Sequence, residues 1–390
     1  MVGDSAHYDR PIPLRHPFIF YEGHIPAFSL NTLNVRALGE PDVDAALQQL
    51  FERGIDPGSI DEARRHEHRW PDRDAVAAFA AKCDKRVRAA LESTKLEDES
   101  VPRLVRAQAV YTILEHELMH QETLMYILHQ LPFERKRRLS FRHEDRALPP
   151  GEMRSVAAGT VTLGADPDAI AFGWDNEFLR MQEQVGAFDI AAYPVTNGDW
   201  LRFVEQGGPV PHFWRRGDGV WLLRLQFEEI PLPRSWPVYV THREAQAYAS
   251  AMGLRLPTEA EYHRAAFGTP AGDERAFPWG DEQPAPRHGN FGFERFDPEP
   301  VDAHPAGASA WGIFDLVGNG WEWTATPFAP LPGFEPMASY PQYSADFFDG
   351  KHFVMKGASP VTAREFLRRS FRNWFYDDYP YVYAKFRCVA

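Results

Sequence analysis

His116-Glu117-Leu118-Met119-His120-Gln121-Glu122 sits inside an unbroken apolar period running from about 102 to 130. Leu104, Ala107, Tyr111, Leu114, Leu118, Met125 and Leu128 recur at three- and four-residue steps, which predicts a long helix with one buried face. Pro102 suits its first turn, where a missing N–H costs no hydrogen bond. Residues four apart are separated by only ~40° around a helix, so His116 and His120 point the same way and can share one metal ion. Two ligands on one rigid helix leave the third to come from elsewhere. Glu122 falls ~200° beyond His120 and reads as a supporting residue. The plain alternative is that the two histidines merely line a core helix.

Working outward, three more helices are predicted before residue 148. Residues 72–95 place Val76, Phe79, Ala80, Cys83, Val87, Ala90 and Leu91 on one face behind an Asp72 suited to cap the first amides. Asp42 to Arg53 is a shorter helix with Gly54 as its C-cap, and 17–38 is another, closed by Gly39 despite the awkward Pro26. Four helices joined by short or medium loops make a bundle, and bundle cores are where facing helices assemble metal sites. Beyond Pro149-Pro150-Gly151 the composition changes. Of 28 glycines only five precede residue 151, and of 11 tryptophans only Trp70 does. Arg243 to Met252 is a predicted helix, and Thr258-Glu259-Ala260-Glu261 opens another with a capping box. Val156 to Leu163, Phe188 to Ala192 and His352 to Met355 are predicted short strands between Gly, Pro and Asn turns. The expected division is a helical bundle over 1–148 and an aromatic, loop-rich α+β domain over 149–390.

Composition narrows the partners. The 390 residues are 44 % hydrophobic, enough for full-sized cores. With 55 acidic against 42 basic residues the formal charge is −13, which opposes nucleic-acid binding. Cys83 and Cys388 are too few and too far apart for a disulfide framework or a cysteine zinc cluster, so a reducing cytoplasm is expected. No signal segment is read at Met1-Val2-Gly3-Asp4, and no apolar run reaches the ~18 residues of a membrane span.

Taken literally, His116-Glu117-Leu118-Met119-His120 is also the pattern of a zinc hydrolase in which Glu117 is the general base. The helix, however, continues without the glycine turn and third histidine of the metzincin pattern, and that reading leaves the aromatic second part without a role. A candidate third ligand is His24, in Tyr21-Glu22-Gly23-His24-Ile25-Pro26-Ala27-Phe28. The neighbouring glycine permits close approach of another element, and the aromatic residues around it make a dry setting.

Gly-His-x-x-x-Phe at 23–28, His-x-x-x-His-x-Glu at 116–122 and Gly318-Asn319-Gly320-Trp321-Glu322-Trp323-Thr324 together resemble the iron-dependent sulfoxide synthases, the ergothioneine and ovothiol synthase family. Gly173-Trp174-Asp175-Asn176-Glu177, Tyr193-Pro194-Val195-Thr196-Asn197, Arg255-Leu256-Pro257-Thr258-Glu259-Ala260-Glu261, Phe371-Arg372-Asn373-Trp374 and Phe386-Arg387-Cys388 follow in the family's order. The resemblance implies a DinB-like four-helix bundle followed by a formylglycine-generating-enzyme-like (C-type-lectin-like) α+β domain, a mixed α + α/β chain, with the active site between them. It implies that His24, His116 and His120 bind Fe(2+), that O2 is a co-substrate, and that the acceptor is the betaine hercynine. Trp374 and Tyr343 match residues that hold the quaternary ammonium by their ring faces. Asn373 matches a partner of the carboxylate, and Tyr340 a proton-donating tyrosine.

Stretches 15–28 and 116–132 look most like the subgroup containing selenoneine synthase. The donor expected first is therefore a selenosugar, with cysteine, a thiosugar or another thiol as the ergothioneine-type alternative. Two departures narrow this. Phe375 follows Trp374 where γ-glutamylcysteine users carry an acidic residue, which disfavours that donor. The reactive cysteine pair of the formylglycine-generating enzymes is absent, which excludes their activity. The alternatives from other classes are the zinc hydrolase and a metal-bound protein that binds a ligand without catalysis.

Overall fold

The structure, a computed structural model, describes residues 1–3, 5–52 and 70–390. Two compact units emerge: Met1–Leu139 with Met337–Pro341, and Ser140–Pro336 with Gln342–Ala390. Ser140 to Leu148, read with the bundle in the sequence, fall in the second unit.

In the first unit, α1 (Phe18–Ser29) is buried along most of its length through Phe18, Ile19, Phe20, Tyr21, Gly23, His24, Ala27 and Phe28. Pro26 lies inside it, and Leu30–Ala37 continues the axis as a π-helix that ends where Gly39 takes φ +72°. Next come α2 (Ala45–Leu50), whose N-cap Asp44 accepts from Leu47 N, and α3 (Arg73–Ser93). The unit's last helix is α4 (Gln108–Gln130). The π-helix and α1 pack against both α3 and α4. Gly23 is what lets the chain after α2 come close: a Cβ there would lie 2.6 Å from the Phe51 ring.

Several expectations need correction. The long helix does not begin near Pro102 but at Gln108, after a 3-10 turn in which Arg106 and Ala107 both take left-handed backbone (φ 53° and 54°). Leu114, placed on the buried face, is exposed; Thr112, Ile113, Glu115 and His116 point inward instead. Asp72 occupies the N-cap of α3, but its side chain makes no capping bond. The Gly54 cap lies outside the described residues. Among those described, no helix is long and apolar enough to cross a membrane.

The second unit is α+β with short elements. The Val156–Leu163 run divides into β1 (Met153–Val156) and β2 (Gly159–Leu163). They pair antiparallel with β4 (Phe188–Ala191) and β3 (Met181–Val185) respectively. After α5 (Asn197–Glu205), strands β5 (Trp214–Gly217), β6 (Val220–Arg224) and β7 (Glu229–Pro231) form an antiparallel sheet. Helices α6 (His242–Ala251) and α7 (Glu259–Phe267) start with capping boxes at Thr241 and Thr258. The largest sheet has the order β10 (Asn373–Tyr376), β9 (His352–Ala358), β8 (Gly320–Pro327), β11 (Ala384–Lys385). Only its β8–β11 pair is parallel. A core of Val156, Val161, Ile190, Tyr262, Ala265, Ile313, Leu316 and Val389 draws on α7 and on the β1–β4 and β2–β3 strand pairs.

Buried ion pairs tie the motifs of this unit together. Arg368 grips Glu177 through Nε and Nη2 at 2.8 and 2.6 Å, and Arg372 grips Glu259 at 3.0 and 3.1 Å. Arg387 does the same to Glu322. Gly318, Asn319 and Gly320 all take positive φ (96°, 63° and 136°), a tight path that aims the Asn319 amide inward. Asn319 Nδ2 donates to Glu299 O at 2.9 Å and to Asp315 Oδ2 at 3.1 Å, and its Oδ1 accepts from Glu299 N. These motif residues therefore hold strands and loops in place.

Candidate metal centre

In the first unit, α1 supplies His24 and α4 supplies His116 and His120. One ligand atom from each lies within 4.8 Å of the other two. The ring centroids are 5.1 Å (24–116), 4.8 Å (24–120) and 4.3 Å (116–120) apart. Backbone carbonyls fix two of the rings: His24 Nδ1 meets Phe51 O at 2.8 Å and His120 Nδ1 meets His116 O at 2.9 Å. A ring that donates through Nδ1 presents the Nε2 lone pair to a metal. His116 Nδ1 is buried without a hydrogen-bond partner among the described residues. Its ring is held by stacking instead, 3.4 Å and 8° from the Phe28 ring, while Phe20 stacks on His24 at 4.8 Å and 17°.

Burial keeps all three imidazoles neutral. It lowers the pKa of His24 to about 4, against the opposing hydrogen bond to Phe51. It lowers that of His120 to about 3, reinforced by the neighbouring His24, and pushes His116 well below the usual range. Neutral imidazole is the form that ligates. Glu117, the base of the zinc-hydrolase reading, is exposed. Glu122 is buried and accepts a hydrogen bond from the Tyr126 phenol, one turn along the helix. Tyr340 also belongs to this unit, its ring edge-on to Phe28 at 5.1 Å and 6.2 Å from His116.

The second unit gathers Tyr343, Asn373 and Trp374. Tyr343 stacks on Trp174 at 3.8 Å and meets the half-buried Trp374 edge-on at 5.2 Å. Trp374 stacks on Phe328 at 4.2 Å and has Phe347 at 5.6 Å. Asn373 accepts the Trp374 N–H through Oδ1 at 2.9 Å, which leaves its Nδ2 as the donor end of the amide. Strand pairing of β10 with β9, Asn373 opposite Met355 and Trp374 opposite Val354, sets both residues.

Residues 140–390 match the sequence profile of the sulfatase-modifying factor enzyme 1-like domain. The chain belongs to this family. Ahead of that domain, residues 2–124 match the DinB superfamily. The hercynine oxygenase of Mycobacterium tuberculosis is 40 % identical over 242 residues, 56 % of this chain and 55 % of that protein. The hercynine oxygenase of Mycolicibacterium thermoresistibile is 37 % identical over 297 residues, 67 % of this chain and 64 % of the relative. Ergothioneine biosynthesis protein 1 of Schizosaccharomyces pombe is 28 % identical over 439 residues, 98 % of this chain and 52 % of the relative. The chain thus spans between half and two thirds of the length of these relatives.

Within the sulfatase-modifying factor enzyme 1-like domain the single cysteine, Cys388, is buried, and burial pushes its thiol up to about 12. Cys83 of the DinB domain is shifted the same way. Neither is a reactive thiolate. Sequence reasoning missed the supporting aromatics Phe20, Trp174 and Phe328, and gave no role to Phe28. Trp174 and Phe28 stand inside motifs already quoted; Phe20 and Phe328 carry no local mark.

Proposed function

We propose that the chain is an iron(II)- and O2-dependent enzyme that joins a sulfur donor to the imidazole of hercynine. One observation carries the reading: three neutral imidazoles, the buried His24 and His116 and the half-buried His120, converge within 4.8 Å. The donor set fits iron(II), since imidazole suits that metal and the orphaned His116 Nδ1 marks a polar interior awaiting a partner. When bound, iron(II) held by three imidazoles supplies redox chemistry and open positions for O2 and a soft chalcogen donor.

The protein's own groups would do the rest. His24, His116 and His120 hold the metal without adding negative charge. Tyr340, whose ring lies 6.2 Å from that of His116 and 5.1 Å from that of Phe28, is the phenol assigned to deliver a proton. Trp374 and Tyr343 present aromatic surface to the trimethylammonium group, which cannot donate hydrogen bonds. Asn373 Nδ2 is the donor assigned to the betaine carboxylate. The names of the relatives, hercynine oxygenase and ergothioneine biosynthesis protein 1, support hercynine as acceptor and sulfur as donor. They favour the ergothioneine-type alternative over the selenosugar that the sequence resemblance placed first.

The test loads the protein anaerobically with iron(II) and hercynine. Cysteine, γ-glutamylcysteine, a thiosugar and a selenosugar are offered in parallel before O2 is admitted, and products are identified by mass. A hercynine sulfoxide conjugate with one of the thiols is expected; formation with the selenosugar alone would restore the selenium reading. Stoichiometric zinc with peptide hydrolysis, or hercynine binding without O2 uptake for any donor, would overturn the proposal.

A further inference from the structure

Met337–Pro341 stands far along the sequence from the helices, yet it is part of the helical unit. Two hydrogen bonds hold it there. Ser339 N donates to Gln108 Oε1 at 3.1 Å, and the Ser339 and Thr112 hydroxyls share a bond of 2.7 Å. Thr112 and Ser339 are both buried. A buried hydroxyl that loses its partner is penalised by its full desolvation, so this contact favours a single arrangement of the segment.

The position of the tether in α4 gives it meaning. Gln108, Thr112, His116 and His120 are successive members of one i, i+4 row, so the stripe that presents two histidines also presents the two residues that bind Ser339. The left-handed pair Arg106 and Ala107 makes Gln108 the first residue of the helix and so sets where this row begins. Once Ser339 is fixed, the next residue, Tyr340, has its ring 6.2 Å from that of His116 and edge-on to Phe28, which itself stacks on His116.

We infer that Thr112 and Gln108 are positioning residues that act through Ser339 to hold Tyr340 beside His116. The catalytic consequence rests on the reading of Tyr340 as a proton donor. The placement itself can be tested without turnover.

The protein is labelled with 3-fluorotyrosine and titrated with Co2+ alone, and the Tyr340 fluorine resonance is identified by its loss in Tyr340→Phe. That resonance is expected to take a paramagnetic shift in the wild type, to lose most of it in Thr112→Val, and to keep it in Thr112→Ser. An unchanged shift in both Thr112→Val and Ser339→Ala overturns the inference. If Co2+ shifts nothing in the wild type, the metal reading itself fails, and hydrogen exchange on the metal-free protein decides the tether. Faster exchange at Ser339 in Gln108→Leu then supports it, and unchanged exchange overturns it.

Discussion

The Arg387 guanidinium lies in register with the Glu322 carboxylate, Nε to Oε2 at 2.8 Å and Nη2 to Oε1 at 2.6 Å, with both side chains fully buried. Arg387 also donates to the carbonyls of Ala191, Ala192 and Phe314, so it joins β8 to the end of β4 and to the loop before β8. Removing one partner strands a buried charge, and Arg387→Met is expected to cost about 3–5 kcal/mol. The double variant Glu322→Leu/Arg387→Met should recover only part of that loss, because the bonds from Arg387 to three carbonyls are lost as well, although Ala192 O still accepts the Phe314 N–H. Urea unfolding of the four proteins of the cycle measures it; equal stability of wild type and Arg387→Met would contradict the argument.

His24 is the ligand candidate from α1, and its ring is set by the Phe51 carbonyl that Gly23 allows to approach. His24→Ala should weaken Co2+ or Fe2+ affinity by more than about 100-fold, since outer-sphere changes alone cost 10–100-fold. The metal-free variant should keep its helical circular dichroism. Competition with a chromophoric chelator gives the affinity directly, and metal retention at the wild-type level would remove His24 from the site.

How much of this was legible in the sequence depends on which physical signal each feature leaves. The body of the long helix and the His116/His120 spacing are local and periodic, and the helix from Gln108 to Gln130 carries both histidines as the pattern predicts. Apolarity is a poor guide to the buried face of α4. In the first half of the helix the buried residues are Ala109, Thr112, Ile113, Glu115 and His116, while Leu114, some 200° from Thr112, faces out. A buried face that carries ligands mixes polar with apolar residues, and hydrophobic patterning alone misplaces it. The start of the helix was missed for a different reason: left-handed Arg106 and Ala107 leave no compositional trace, unlike glycine. The Thr112–Ser339 contact joins residues 227 apart and has no local signature at all. The capping boxes at Thr241 and Thr258, by contrast, are purely local; the one at Thr258 was read directly.

Acid should weaken the fold through His242. Its Nε2 donates to Thr324 O at 3.0 Å and its ring stacks on Phe353, but burial dominates and lowers the pKa from 6.5 to about 4. Between those two values the unfolded chain binds the proton and the folded chain does not. Stability from this group therefore rises with pH across the window, is fully present above about 6.5, and falls on acidification toward 4. The loss is of order 2–3 kcal/mol. Urea midpoints at pH 7, 6, 5 and 4.5 should fall more steeply for the wild type than for His242→Gln; parallel curves would show that His242 takes up its proton in the folded state.

Trp374 separates recognition of the methylated ammonium from recognition of the rest of the acceptor. One face of its indole is covered by Phe328, and Tyr343 meets it edge-on, so the ring is rigidly held in β10. A cation against such a ring gains ~0.5–2 kcal/mol, so Trp374→Leu should weaken hercynine binding by about 2- to 30-fold. Histidine, whose primary ammonium is strongly hydrated and able to use hydrogen bonds, should lose less. Calorimetric titration of both ligands into wild type and Trp374→Leu gives the two ratios. Equal losses would mean that the indole serves as packing for Asn373 and Tyr343, and that the methyl groups are read elsewhere.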